Sequence, residues 1–275
     1  MKIIIDSHPF YIRLTRRKSA GKIPIVFLHG FTGSSKDWEF ILNQLPKKFF
    51  PAAIDLIGHG KTASPENVKY YSTKRIVSQI NTIINKLNFD KIILAGYSMG
   101  GRAALSYAVS YPRKIQGLIL ESSSPGIQND DKRNERIKND LKLAEIVKNY
   151  GVAEFINHWT ELPLFQTLKA ISKNQYEGII EGKKKNNVWG LSNSLKGFST
   201  GRMPDYWSRL KEFDIKTLLI TGELDRKFTQ INSRMNKLIP HCSHKVVKRC
   251  GHNVHLEKPE EFIILVKEFL RNFSS

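Results

Sequence analysis

The fold class predicted by this sequence is α/β, a mostly parallel central sheet with helices on both faces, and three observations predict it. Short apolar runs recur along the 275 residues, bounded by Gly, Pro or polar turns, as strands covered on both faces are. Amphipathic stretches of helical period lie between them, the alternation of a parallel sheet with crossover helices. A glycine-rich turn, Gly96-Tyr97-Ser98-Met99-Gly100-Gly101, joins one such run directly to one such stretch. The length suffices for a substantial core.

Lys2 to Ile5 with Tyr11 to Leu14 form an antiparallel edge hairpin, within a first 20 residues that carry no chemical signal. Ile23 to Leu28 is a buried strand and Ala52 to Leu56 the next, followed by an amphipathic helix from Thr73 to Leu87. Lys91 to Ala95 (KIILA) is a strand, and the helix Met99 to Ser110 follows the glycine-rich turn. Ile115 to Leu120, Thr217 to Thr221 and Lys245 to Lys248 complete the strands. Pro259 is well placed to open a last helix that runs to Phe269, since a first turn needs no N–H there. Residues 126–205 break the alternation. They show helical patterns (Asp130 to Asn149, Val152 to Glu161, Gln175 to Lys185, Leu191 to Phe198) and no strand. This predicts a core of residues 1–125 and 206–275, with 126–205 inserted as a helical lid over the C-terminal edge of the sheet, where open α/β sheets bind ligands.

Composition narrows the class of function. With 40% hydrophobic and 25% charged residues, the chain is neither disordered nor fibrous. No run approaches the roughly 20 apolar residues of a membrane helix, and the start is too short a run for a signal peptide. The expectation is a soluble, cytoplasmic protein without membrane insertion. Cys242 and Cys250 lack metal-ligand spacing and suggest neither a disulfide framework nor a metal site. Lys and Arg total 44 against 25 Asp and Glu, a net charge of +19. That excess fits nucleic acid, an anionic surface or an acidic small substrate. The lysines are spread along the whole chain, with no zinc-finger spacing, no Gly-x-x-Gly clamp and no aromatic RNA-binding signature, so nucleic acid is not an expected partner. Monomer and homo-oligomer are equally open.

The glycine-rich turn follows the strand KIILA and opens a helix, the context that gives a G-x-S-x-G pattern its meaning. Ser98 must sit on a turn so sharp that a side chain at either flanking glycine would clash. The helix from Met99 then aims its N–H groups and positive dipole end at whatever lies over the serine. The competing reading is a serine in a phosphate-binding turn. His29-Gly30-Phe31 ends the strand IPIVFL and would set the Phe31 N–H beside that of Met99, two donors that make an oxyanion hole. Asp225 follows the strand TLLIT and His252 follows the last strand, so the order Ser…Asp…His is that of the α/β-hydrolases. His252 is the candidate base and Asp225 the acid that orients it. Glu121 is the rival acid, expected instead to satisfy backbone groups nearby. His255 is the rival base, and His29 and His59 are expected to shape the site. Arg102 lies four residues past Ser98, one turn along the helix. There it would clamp a substrate carboxylate, whereas a plain esterase would gain nothing; the competing reading is a salt-bridged helix arginine.

With GYSMGGR (Gly96 to Arg102), ESSSPGIQN (Glu121 to Asn129), ELPLFQ (Glu161 to Gln166), STGRMPDYW (Ser199 to Trp207), TGELDRKF (Thr221 to Phe228) and GHNVHLE (Gly251 to Glu257), the chain resembles one family. It is that of the 2-succinyl-6-hydroxy-2,4-cyclohexadiene-1-carboxylate (SHCHC) synthases, lyases of menaquinone (vitamin K2) biosynthesis with an α/β-hydrolase fold. The resemblance runs from about Ile23 to Phe269. It implies elimination of pyruvate from 2-succinyl-5-enolpyruvyl-6-hydroxy-3-cyclohexene-1-carboxylate, a small-molecule polycarboxylate, with no metal or organic cofactor. It further implies that Ser98, activated by His252, removes the ring proton α to the succinyl ketone, while Asp225 holds His252. By position the resemblance assigns substrate contacts to Tyr97, Arg102, Arg136 on the first lid helix, and Trp159. The family's third arginine falls at Lys183, a departure that puts a point charge where a planar fork is usual. Lys184 and Lys185 are alternatives for that role. A serine hydrolase cleaving an ester or C–C bond would use the same triad, and the arginines favour a polyanionic substrate over an apolar ester.

Overall fold

The apolar runs assemble into one eight-stranded sheet, in the computed structural model, which describes residues 1–16 and 21–273. In chain order the strands are β1 (Lys2–Ile5), β2 (His8–Leu14), β3 (Ile23–Leu28), β4 (Phe49–Ile54), β5 (Ile92–Tyr97), β6 (Ile115–Glu121), β7 (Thr217–Gly222) and β8 (Cys242–Val247). Their spatial order is β1-β2-β4-β3-β5-β6-β7-β8. β1 and β2 form the antiparallel edge hairpin and β2 runs antiparallel to β4; every later pairing is parallel.

Alternation along the strands divides the core between the two faces of the sheet. On β5, Ile92 and Leu94 enter one cluster while Ile93 and Ala95 enter the other. The first cluster is closed by Ile76, Ile80 and Ile83 of the second helix and Ala103 and Ala104 of the third. Those helices are α2 (Thr73–Lys86) and α3 (Met99–Ser110), α1 (Glu39–Gln44) being the first. The second cluster is closed by Ile41 and Leu42 of α1 and by Phe262 and Val266 near the C-terminus.

Between β6 and β7 the chain builds α4 (Asp130–Thr160), a 3-10 segment (Pro163–Ala170), α5 (Lys173–Lys184) and α6 (Val188–Gly197), with no strand. α4 and α6 share a small core of their own around Val147, Phe155, Ile156 and Leu191. The two helices expected at Asp130 to Asn149 and Val152 to Glu161 form one run broken at Gly151, whose φ of 79° and ψ of 171° are not helical. The chain ends with α7 (Arg226–Leu238), α8 (Val254–Glu257) and α9 (Pro259–Leu270).

Two strands sit earlier than expected. β4 starts at Phe49 because Pro51 falls just outside the pairing with β2, which begins at Ala52, so its missing N–H breaks no bond there. β8 starts at Cys242 because an edge strand is half exposed and its apolar signal is thin.

Candidate active site

The turn after β5 carries Ser98 at φ 50° and ψ −106°, a conformation that a non-glycine residue adopts only under constraint. The constraint is close packing. A Cβ at Gly96 would strike the backbone of Gly100, and one at Gly100 would strike the backbone of Leu28. Both flanking glycines are therefore needed, as the spacing predicts. The Ser98 N–H is donated to the Glu121 carbonyl at 2.8 Å, which fixes the turn to β6.

His252 and Asp225 reach this serine from the loops after β8 and β7. Asp225 Oδ2 accepts from His252 Nδ1 at 2.6 Å, and Oδ1 accepts from the Phe228 N–H at 3.3 Å, so the same carboxylate caps α7. With Nδ1–H donated to Asp225, Nε2 is left to accept the Ser98 hydroxyl, 3.1 Å away. Phe228, Tyr97 and Phe165 surround the imidazole with ring centroids 4.7, 5.3 and 5.9 Å away. The three groups are thus in hydrogen-bond sequence and largely dry.

A cavity of about 290 Å³ opens above Ser98. Phe31 and Met99 both border it. Met99 is the first residue of α3, so its N–H lies outside the helical ladder, and the Phe31 N–H meets no acceptor among the described residues. Trp159 also borders the cavity, with its ring 5.3 Å from that of Phe31 and stacked on Phe155 at 5.5 Å. Tyr97 lines it with its ring only, because its hydroxyl is donated to Asn253 Oδ1. Burial first, then the nearby carboxylates of Glu121 and Glu257, hold that phenol well above its ordinary pKa.

Three of the expected cations face the same space. Arg102 donates to the Phe198 carbonyl at 2.8 Å and lies over the Phe198 ring at 4.6 Å, so it is not a salt-bridged surface arginine. Burial, and then the Arg136 charge, push its pKa down to about 9, which leaves it charged at neutral pH. Arg136 Nε donates to Asp140 Oδ2 at 2.8 Å, and that oxygen also accepts from Ser199 Oγ at 2.5 Å. Lys183 Nζ donates to Thr32 Oγ1 at 3.1 Å, and burial lowers its pKa from the usual lysine range. Lys184 pairs instead with Glu181 at 3.3 Å, and Lys185 opens onto a different cleft. Of the three lysines, Lys183 alone lines this cavity.

The rivals are accounted for. Glu121 was expected to satisfy backbone nearby in the chain; instead its Oε1 accepts from the N–H and the Nδ1 of His255, 134 residues on, at 3.1 and 2.9 Å. His255 is stacked on Trp38 at 4.1 Å and buried away from Ser98. His29 accepts the Leu56 N–H on Nε2 and packs against His59, whose pKa burial and His29 lower to about 3. These two histidines do not border the cavity themselves; His59 packs behind Phe31, which does, with ring centroids 5.7 Å apart. Asp140, Lys227 and Phe165 also line the cavity and were not singled out from the sequence. Asp140 could have been, since it stands four residues after Arg136, the spacing of a helical ion pair.

Residues 23–259 match the family model described as alpha/beta hydrolase fold. A protein of Bacillus subtilis (strain 168), whose assignment as an SHCHC synthase is provisional, is 43% identical over 90% of this chain and 89% of its own. The SHCHC synthase of Serratia proteamaculans (strain 568) is 28% identical over 90% of this chain and 93% of its own. Among solved structures, MenH from S. aureus superposes with a TM-score of 0.90 at 33% identity, over 95% of this chain and 98% of that one.

Proposed function

We propose that this chain, which belongs to the α/β-hydrolase fold family and within it to the SHCHC synthases, eliminates pyruvate from 2-succinyl-5-enolpyruvyl-6-hydroxy-3-cyclohexene-1-carboxylate. The observation that carries this reading is the pairing of a Ser98–His252–Asp225 relay with Arg102, Arg136 and Lys183 around one cavity. A relay alone serves hydrolase and lyase equally. Three cations around it suit a substrate with three carboxylates.

In this mechanism Ser98 gives its proton to His252 and takes the ring proton α to the succinyl ketone. Negative charge moves to the ketone oxygen, where the N–H groups of Phe31 and Met99 meet it. The ring bond to the enolpyruvyl oxygen then breaks, the diene forms, and the departing enolate takes up a proton to become pyruvate. Asp225 keeps His252 in the tautomer that accepts on Nε2 and stabilises the imidazolium. Water is not consumed, so a cavity closed by helices suits the reaction. Residues 126–205 act as that lid over a core of 1–125 and 206–275. Trp159 and the Tyr97 ring give the ring of the substrate its apolar walls. The place of action is the cytosol; no described helix is long and apolar enough to cross a membrane.

The test mixes the purified protein with the enolpyruvyl substrate and follows diene absorbance and pyruvate together. Equal yields of both, abolished by Ser98→Ala, are expected. No acceleration over the spontaneous elimination, alongside turnover of a simple aryl ester, would move the chain to the hydrolases.

A further inference from the structure

Glu257 has no part in the mechanism above, yet its carboxylate grips the backbone on both sides of His252. Oε2 accepts the Gly251 N–H at 2.7 Å, and Oε1 accepts the Asn253 N–H at 3.2 Å. A third bond comes from outside this loop. Thr167 Oγ1, in the 3-10 segment Pro163–Ala170 of the helical insertion, donates to Oε1 at 3.1 Å. A carboxylate has about four acceptor positions, so these three donors, each strengthened by the negative charge, nearly fill it.

The surroundings are built for this contact. A Cβ at residue 251 would collide with the Thr167 hydroxyl, so the close approach of the two segments requires Gly251. The Cys250 thiol lies 3.7 Å from Oε2, and burial first and then the charge of Glu257 raise its pKa, which keeps it neutral. Asn253 passes the link onward, since it accepts the hydroxyl of Tyr97, the neighbour of Ser98. Phe165, two residues before Thr167, lies against the His252 ring. Insertion, base loop and nucleophile turn are thus joined through one carboxylate.

We propose that Glu257 is a positioning residue for His252, and that the Thr167 hydroxyl holds its carboxylate in that role. This rests on His252 being the base of the proposed reaction.

The experiment reads the base in two ways, by pyruvate release and by labelling of Ser98 with a fluorophosphonate. In the label reaction the serine oxygen bonds to phosphorus, fluoride leaves and the hydroxyl proton passes to His252, whatever the natural substrate is. Glu257→Gln keeps one acceptor but turns an amide N–H₂ towards a backbone N–H. It is expected to slow both labelling and kcat about tenfold with KM nearly unchanged. Thr167→Val should slow both about threefold, and Thr167→Ser should restore them. The Glu257→Gln, Thr167→Val double variant should be no slower than Glu257→Gln alone, because the hydroxyl acts through the carboxylate. Unchanged labelling in both folded single variants would overturn the inference, as would effects that multiply in the double variant. Should Glu257→Gln fail to fold, equal rates for Thr167→Val and Thr167→Ser overturn it. Wild-type labelling that His252→Ala does not slow, or a Ser98 inert to the probe, removes the base and the inference together. Labelling that depends on His252, Glu257 and Thr167 without pyruvate release removes the lyase reading and leaves the positioning role standing.

Discussion

Arg102 shows most directly how one residue separates the two chemistries. Its guanidinium is desolvated, with one N–H on the Phe198 carbonyl and a face on the Phe198 ring, and no carboxylate pairs with it among the described residues. A half-buried cation with no carboxylate bonded to it is costly, and an arriving substrate carboxylate would offset that cost. Arg102→Ala should therefore lower kcat/KM by about 2–4 kcal/mol of transition-state stabilisation, with Arg102→Lys recovering only part. Unchanged kinetics in the alanine variant would return Arg102 to a packing role. Lys183 makes a second case, read by pH. Burial lowers its pKa, so the ammonium is present at low pH and lost as pH rises through a value below that of a free lysine. Substrate affinity should fall on the alkaline side for that reason, and Lys183→Arg should move this limb of kcat/KM to higher pH. A limb unmoved by that change belongs to another group. Much of this was legible in the sequence. Ser98, Asp225 and His252 sit at strand ends, where topology alone brings them together. Glu257 was not legible, because its meaning depends on Thr167, 90 residues away along the chain.

Among the elements, legibility followed burial. β3, β5 and β7 are wholly or almost wholly buried runs, found within two residues at either end. α7 was passed over because its apolar residues are sparse; Met235 is its one buried apolar residue, beside the polar Asn232. The kink in α4 is the most consequential feature that periodicity could not reveal. Arg136 and Asp140 precede Gly151, while Phe155 and Trp159 follow it, and Arg136, Asp140 and Trp159 all border the cavity. A straight helix of this length could not curl both halves towards one point. The φ and ψ at Gly151 lie in a region essentially restricted to glycine, and a Cβ there would meet no neighbour. Gly151→Ala therefore strains backbone without creating a clash. It should cost about 1–3 kcal/mol in unfolding free energy and raise KM more than it lowers kcat. Denaturant unfolding and steady-state kinetics check both parts. A variant as stable as the parent with the same KM would mean that the kink is not required by the site.

At the scale of the whole molecule the net charge of +19 poses a question that composition leaves open, whether it is background or function. The fold separates the two. Arg102, Arg136, Lys183 and Lys227 converge on one cavity that holds a single lining carboxylate, Asp140, so field lines concentrate there whatever the distant lysines do. A trianionic substrate approaching such a mouth is steered at low ionic strength. The effect fades as the Debye length shrinks from about 10 Å at 0.1 M salt to about 3 Å at 1 M. Wild-type kcat/KM should thus fall several-fold over that range while kcat stays level. Two single changes then locate the source. Lys227, exposed near the start of α7, borders the cavity, so Lys227→Gln should flatten the salt dependence. Lys86 is equally exposed but ends α2, the helix that leads into the N-terminal edge of β5, opposite the end that carries Ser98. Lys86→Gln should leave the dependence as it was. Equal flattening by both would mean that total charge draws the substrate, and the convergence of cations would then serve binding alone.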